Sequence, residues 1–330
     1  MRRSLAMGEF ELINRYFASA HCAVHGEGEG VALGIGDDCA LLDLPPGEQL
    51  AVSTDTLVAG VHFPAVCDPK LLGQRCLAVA VSDLAAMGAT AIGFTLALTL
   101  PDVSHAWLEE YSAGLSRMAH RCRMSLIGGD TTRGPLSITV TVFGRVPAGQ
   151  ALRRTGAQPG DLLYVGGVLG KAAGALPLVL GERQAPPDVA EPLLAHYWAP
   201  MPQLTLGALL RGHATAALDI SDGLLADCGH IAKASGVALE VNLAQVPVSP
   251  EVEAFLGREA AVQAALAGGD DYILAFTAPP DALTHLAQFG FIQVYPIGRV
   301  LQGQGVSLRD AHGQDITPRQ RGYQHFREIP

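Results

Sequence analysis

At 330 residues, with 49 % hydrophobic and 16 % charged positions, the chain is long enough for two globular domains and too apolar to be disordered. A net charge of -10 argues against a basic face, so neither a nucleic-acid nor a membrane partner is expected. The six cysteines are scattered without a C-x-x-C pair, and neither the N-terminus nor Ala89 to Leu100 reads as a signal peptide or a membrane span, so a soluble cytoplasmic protein is expected.

Phe10, Leu12, Ile13, Tyr16 and Phe17 recur at helical spacing and predict a short amphipathic helix. Val31 to Ile35 reads as a strand running into Gly34-Ile35-Gly36-Asp37-Asp38. Two adjacent acids with no basic residue nearby repel one another, so they either project into solvent or hold a cation. The preceding glycines do not make a dinucleotide fingerprint, because Leu33 stands at the last required glycine. Leu50 to Ser53 is the next strand, ending in Thr54-Asp55-Thr56, whose hydroxyls and carboxylate are oxygen ligands for a hard cation. Asp68-Pro69 predicts an N-cap followed by proline in the first helical position. Leu72, Cys76, Val79 and Asp83 follow at steps of four, three and four, which places Asp83 on the buried stripe; alternatively Ser82 or Asp83 caps a second short helix, Leu84 to Met87.

Ile92 to Leu100 reads as a strand stopped by Pro101, Trp107 to Met118 as an amphipathic helix, and Met124 to Ile127 as a strand leading into Gly128-Gly129-Asp130-Thr131-Thr132-Arg133-Gly134. Ser137 to Phe143 alternates as a strand, and the Pro147-Ala148-Gly149 turn is the expected boundary between domains 1–148 and 149–330. In the second half, Leu162 to Val165 is a strand, and Gly166 to Lys171 is a strand-to-helix turn: a phosphate loop would need glycine at Val165 and Ser or Thr at Ala172. Pro186 to Pro202 reads as loop with a short helical stretch. Asp219-Ile220-Ser221-Asp222-Gly223 precedes a helix from Leu224 to Ala234 closed by Gly236, placing Ser221 or Asp222 at a helix N-terminus suited to phosphate oxygens. Leu266 to Tyr272, with Gly268-Gly269-Asp270-Asp271, precedes a strand from Ile273 to Thr277. Helices and strands alternate in both halves, which predicts an α/β class with α+β layers.

Six apolar runs thus end in small residues plus aspartate: at Asp38, Asp55, Asp83, Asp130, Asp219/Asp222 and Asp270/Asp271. A repeated all-oxygen set suits Mg²⁺ holding substrate phosphates, and no His/Cys spacing points to zinc. Arg133 and Arg154, in Gly/Thr-rich loops, are candidates to clamp a phosphate.

These segments resemble the thiamine-monophosphate kinase family, within the superfamily that includes aminoimidazole-ribonucleotide synthetase and selenophosphate synthetase. The matching motifs are Gly8-Glu9-Phe10, Gly34-Ile35-Gly36-Asp37-Asp38, Ser53-Thr54-Asp55-Thr56 with Gly60-Val61-His62-Phe63, and Ser82-Asp83-Leu84-Ala85-Ala86-Met87-Gly88. They continue through Gly128-Gly129-Asp130-Thr131-Thr132-Arg133-Gly134, Arg154-Thr155-Gly156, Asp219-Ile220-Ser221-Asp222-Gly223 and Gly268-Gly269-Asp270-Asp271-Tyr272, in family order over essentially the whole chain. The resemblance implies ATP-dependent phosphorylation of thiamine monophosphate to thiamine diphosphate by direct transfer, with ATP as co-substrate and several Mg²⁺ ions. It implies metal ligation by Asp38, Ser53, Thr54, Asp55, Asp83, Asp130, Asp219 and Asp222, ATP contacts from Gly129, Asp130, Arg154 and Ser221, and acceptor contacts from His62, Asp270 and Tyr323. It further implies the two-domain aminoimidazole-ribonucleotide-synthetase-like fold and a homodimer formed through the N-terminal sheets, with the C-terminal domain completing the site.

The family usually reads Gly-Gly-Glu-Asp-Tyr-Glu where this chain has Asp270 and Ile273; Asp keeps the charge but is shorter by about 1.5 Å. The rival readings are another ATP-dependent enzyme of the superfamily and a non-catalytic Mg²⁺ or nucleotide sensor. Selenophosphate synthesis would need a reactive Cys and Lys in an N-terminal Gly-rich segment, and Cys22 has no Lys beside it.

Overall fold

The structure, a computed structural model, describes residues 9–284, 286, 293–318 and 322. The chain divides between Ala148 and Gly149 into two units, with the short segment Ala85–Ala89 grouped with the second.

In the first unit, α1 (Glu9–Leu12) runs into a π-helical turn (Ile13–Ala18), followed by the short strands β1 (Val31–Leu33) and β2 (Leu41–Leu42). Then come β3 (Glu48–Val58), α2 (Pro69–Ala86), β4 (Thr90–Leu100), α3 (His105–Cys122), β5 (Ser125–Arg133) and β6 (Ser137–Pro147). The main sheet runs β3-β6-β4-β5, antiparallel except for the parallel β4/β5 pair, so β3 and β5 are its two edges among the described residues. Ile138, Val140 and Val142 on β6 and Phe94, Leu96 and Leu98 on β4 are buried, as alternation requires of a half-covered sheet. The Asp68 carboxylate accepts the N–H of Lys70 at 2.8 Å and of Leu71 at 3.2 Å, capping α2 as expected. α2 continues unbroken to Ala86, so Asp83 lies inside one helix and caps no second one.

β3 and β5 are longer than their apolar runs predict. Thr54, Asp55 and Thr56 do not follow β3 but lie within it, paired with Thr141, Val140 and Thr139. Asp130 likewise lies within β5, opposite Ala97. A sheet with one open face tolerates polar residues at alternate positions, which an apolar-run criterion reads as a strand end.

The second unit holds β7 (Leu162–Val165), α4 (Lys171–Val179), α5 (Pro187–Trp198), α6 (Leu204–Leu210), β8 (Ala216–Asp219) and α7 (Leu224–Ser235). It continues with β9 (Ala238–Asn242), α8 (Pro250–Leu256), α9 (Arg258–Ala267), β10 (Leu274–Ala278), β11 (Tyr295–Leu301) and β12 (Gly305–Arg309). Its sheet runs β12-β9-β11-β7-β10-β8, antiparallel except for β12/β9. Pro186 to Pro202 is more ordered than expected, since α5 has proline in its first turn, where no N–H is needed, and accommodates Pro192. α7 ends at Gly236 in the left-handed region (φ 70°), as expected. The mixed α/β class holds in both units, and no helix among the described residues is long and apolar enough to cross a membrane.

Candidate functional site

In the first unit the diacid loop opens onto a cavity of about 510 Å³, within the ordinary range for a small-molecule site. Asp38, Gly129 and Asp130 line its polar side, and Ile13, Phe17 and Ile127 are among its apolar residues. Chain geometry fixes this loop. Gly34 passes so close to the preceding segment that a Cβ there would lie 1.8 Å from the Val24 carbonyl oxygen. The ring nitrogens of His25 lie 3.0 Å from the Ile35 carbonyl and 2.7 Å from that of Ala18, tying the loop to the end of the π turn. Asp37 accepts the N–H of Asp38 at 2.9 Å, so one acid orders the loop and leaves the other exposed at the cavity.

A second group of candidates lies between β3 and α2. Ser53 Oγ donates to the carboxylate of half-buried Asp83, and Asp55 lies two residues along on the same face of β3. Thr54 points to the other face, where its hydroxyl pairs with that of Thr141 at 2.9 Å. His62 accepts the N–H of Val58 on Nδ1 at 3.0 Å, which places the proton of a neutral ring on Nε2. Behind it, fully buried Arg75 donates to the His62 carbonyl at 3.3 Å. The structure therefore gathers the first-unit candidates into two groups, Asp38–Gly129–Asp130 and Ser53–Asp55–Asp83, on opposite edges of the sheet. Arg133 does not face either group as a spare cation; it pairs with Asp102 at 3.2 Å and bonds the Pro101 carbonyl at 3.1 Å.

In the second unit, two candidate loops are stitched together. Asp270 N–H donates to Ser221 O at 2.9 Å, and Tyr272 N–H to Ile220 O at 2.8 Å. A Cβ on Gly269 would lie 2.3 Å from Ser221 O, so only glycine fits there. Asp270 and Tyr272 both adopt positive φ (68° and 51°), a costly conformation for these residues. It directs Asp271 inward, where its Oδ2 accepts the N–H of Gly170 at 2.8 Å, while Asp270 stays half-exposed and accepts the Tyr272 hydroxyl at 2.8 Å. Burial pushes the Asp271 carboxyl up to about 7, aided by the neighbouring Asp270 charge and opposed by backbone N–H groups.

Neither Ser221 nor Asp222 caps α7. Gly223 is the N-cap, and the three N–H groups of Ser221, Asp222 and Gly223 are taken by Asp227, four residues further on. Burial pushes Asp227 up to about 7, with the charges of Asp222 and Asp219 adding to the effect. Arg154 is exposed on the loop after Leu152, where its carbonyl accepts the Ser235 hydroxyl at 3.1 Å. Tyr323 lies outside the described residues.

The donor chemistry fits Mg²⁺. Every ligand predicted from the sequence offers oxygen. Among the described residues Asp222, Asp227 and His230 bring ligand atoms within 4.8 Å of one another, with His230 the one nitrogen donor of that group. The crowding of Asp219, Asp222 and Asp227 is a charge repulsion that a divalent cation relieves. Sequence reasoning missed Asp227, Tyr272 and the cavity residues Ile13 and Phe17. Only Asp227 left a trace, as an acid in the first turn after a glycine N-cap.

The N-terminal domain of AIR synthase related proteins matches residues 36–146, and the C-terminal domain of the same proteins matches residues 158–311. Fold and acid-bearing loops together therefore define an AIR synthase related protein. The thiamine-monophosphate kinase of Escherichia coli strain K12 is 45 % identical over 332 residues, spanning 98 % of this chain and 99 % of that protein. The crystal structure of thiamine-monophosphate kinase from Stenotrophomonas maltophilia K279a is 48 % identical with a TM-score of 0.80, covering 86 % of this chain and 92 % of that one. AaThiL complexed with AMPPCP and TMP is 28 % identical with a TM-score of 0.77, covering 99 % of both chains. The chain belongs to the thiamine-monophosphate kinase family.

Proposed function

We propose that the chain transfers the γ-phosphoryl group of ATP to the phosphate of thiamine monophosphate, giving thiamine diphosphate. The observation that carries this reading is the cavity lined by Asp38, Gly129 and Asp130 together with apolar residues such as Ile13, Phe17 and Ile127, a mixture suited to a nucleotide with its phosphates. Membership of the family, and the ATP analogue and TMP bound by a relative spanning the whole chain, support the same reading.

The acceptor is itself a phosphate, largely dianionic near neutral pH, so its oxygen needs no strong base. Repulsion between two polyanions and their alignment remain to be managed, and bound Mg²⁺ supplies the charge that screens them. Asp38, Ser53, Thr54, Asp55, Asp83, Asp130, Asp219 and Asp222 are the residues we assign to hold a group of several Mg²⁺ ions between them. Gly129, Asp130, Arg154 and Ser221 are assigned to ATP, and His62, Asp270 and Tyr323 to the acceptor. Because no nucleophile–base pair is required, transfer is direct. A phospho-aspartyl species in a single-turnover experiment would contradict this step. Incubation with ATP, Mg²⁺ and thiamine monophosphate should yield thiamine diphosphate, and none above background would sink the kinase reading.

We further infer a homodimer built on the first unit. Asp55 on β3 and Asp130 on β5 lie on opposite edges of a four-stranded sheet. Three strand spacings amount to roughly 14 Å. Ligands of one Mg²⁺ lie about 2 Å from it, so one protomer cannot bring both acids to a shared ion. A second copy with its β5 beside this β3 would do so. Leu50 and Val52, 44 % and 54 % exposed on the open face of β3, give such a contact an apolar component.

A further inference from the structure

Asp227 is only 4 % exposed, and its Oδ2 accepts three successive backbone N–H groups, from Ser221 at 3.0 Å, Asp222 at 2.9 Å and Gly223 at 3.1 Å. Helix N-termini ordinarily hand their orphan N–H groups to an N-cap side chain or to water. Here the N-cap is Gly223, which has no side chain, and the acceptor reaches back from inside the helix. Three donors meeting on one oxygen curl the backbone of Ser221–Gly223 tightly, with little slack. A Cβ on Gly223 would lie 2.9 Å from the backbone of Ala267. The curl turns the Ser221 carbonyl toward the Asp270 N–H at 2.9 Å, so the shape of one loop passes to the next.

Ligand atoms of Asp222, Asp227 and His230 lie within 4.8 Å of one another, so the clamp stands directly beside the Asp222 carboxylate and its shape fixes where that carboxylate is held.

We propose that Asp227 is a positioning residue for phosphoryl transfer, holding the Ser221–Gly223 backbone in the shape that presents Ser221, Asp222 and the adjoining Asp270 to the reactants. It rests on the kinase reading above for its kinetic consequence, but its structural half stands apart from turnover. An asparagine keeps a side-chain oxygen that can accept the three N–H groups; an alanine does not. Asp227→Asn is therefore expected to stay within about three-fold of the parent kcat, whereas Asp227→Ala falls by about 100-fold and needs more Mg²⁺ for half-maximal rate.

Independently of activity, amide exchange should find Ser221, Asp222 and Gly223 protected in the parent protein and in the asparagine variant. Rapid exchange of these amides in the parent overturns the proposal. So does an alanine variant with parental kcat and Mg²⁺ dependence, or an asparagine variant as impaired as alanine. If the alanine variant does not fold, the asparagine kinetics and parental amide exchange still decide. Absence of turnover in the parent protein, with the three amides protected, would defeat the kinase reading and the kinetic role while leaving the clamp in place.

Discussion

The hydroxyl of Ser53 on β3 donates to the carboxylate of Asp83 on α2, joining the sheet edge to the helix that packs beside it. The bond fixes one oxygen of Asp83, a residue assigned above to Mg²⁺. Ser53→Ala should keep its fold, lose about 1 kcal/mol of stability, and require several-fold more Mg²⁺ for half-maximal rate. A Mg²⁺ titration unchanged from the parent would show that this bond does not orient a ligand.

Opposite-edge placement of Asp55 and Asp130 makes a prediction about mixtures. Asp55→Asn and Asp130→Asn should each fold and each lose at least about 100-fold in turnover if, as proposed, each carboxylate holds Mg²⁺. If each site draws Asp55 from one copy and Asp130 from the other, refolding the two variants together at equal amounts should restore roughly a quarter of parental activity. Half of the dimers would then be mixed, and one of their two sites would be intact. No recovery would place both acids in the same copy's site.

Asp271 couples stability to pH. An aspartate ionises near 4 in an unfolded chain, whereas burial pushes this one up to about 7. Between these values the folded protein holds a proton that the unfolded chain has lost. Its contribution is thus favourable at the acid end and is lost as pH rises, by about 1.4 kcal/mol per unit. Asp271→Asn cannot ionise, so the stability difference between the two proteins should shift in the variant's favour across this window. Parallel pH profiles in denaturant melts would remove the effect.

Tyr272 is expected to act on acceptor binding. Its hydroxyl donates to Asp270 at 2.8 Å and so orients that carboxylate. Tyr272→Phe should raise KM for thiamine monophosphate by about three- to ten-fold, the range of one lost hydrogen bond, and leave KM for ATP unchanged. Equal changes in both constants would indicate a general loosening of the loop.

Gly34→Ala tests the diacid loop from its backbone. With a Cβ 1.8 Å from Val24 O, the segment must move, and we expect a loss of about 2–4 kcal/mol together with a sharp fall in turnover. A variant with parental melting temperature and rate would show that the loop tolerates displacement.

Much of this was legible beforehand. Alternation in β6, the Asp68-Pro69 cap and the Gly236 stop are local signals, and local signals survive folding. The strands bearing Asp55 and Asp130 run past their apolar stretches and read shorter in the sequence, because polar residues inside a strand look like turns until their partners are known. The division of the acids between two sheet edges was hidden for a different reason: motif order says nothing about strand order, and β6 inserts between β3 and β4. The role of Asp227 is not legible in the sequence, because its bonds go to backbone donors, which no side-chain pattern reports.

The π turn at Ile13–Ala18 sets how finely the cavity is gauged. A π turn carries one residue more than the α-turn it replaces, so Ile13, Asn14 and Phe17 reach the cavity wall by virtue of a single extra peptide. Deleting any one residue in this stretch would let it relax to ordinary α-helix and swing the residues before the deletion about 100° around the axis, away from the space they bound. The aperture is therefore counted in whole residues, and chains that differ here by one position in length are expected to differ in the shape of this cavity.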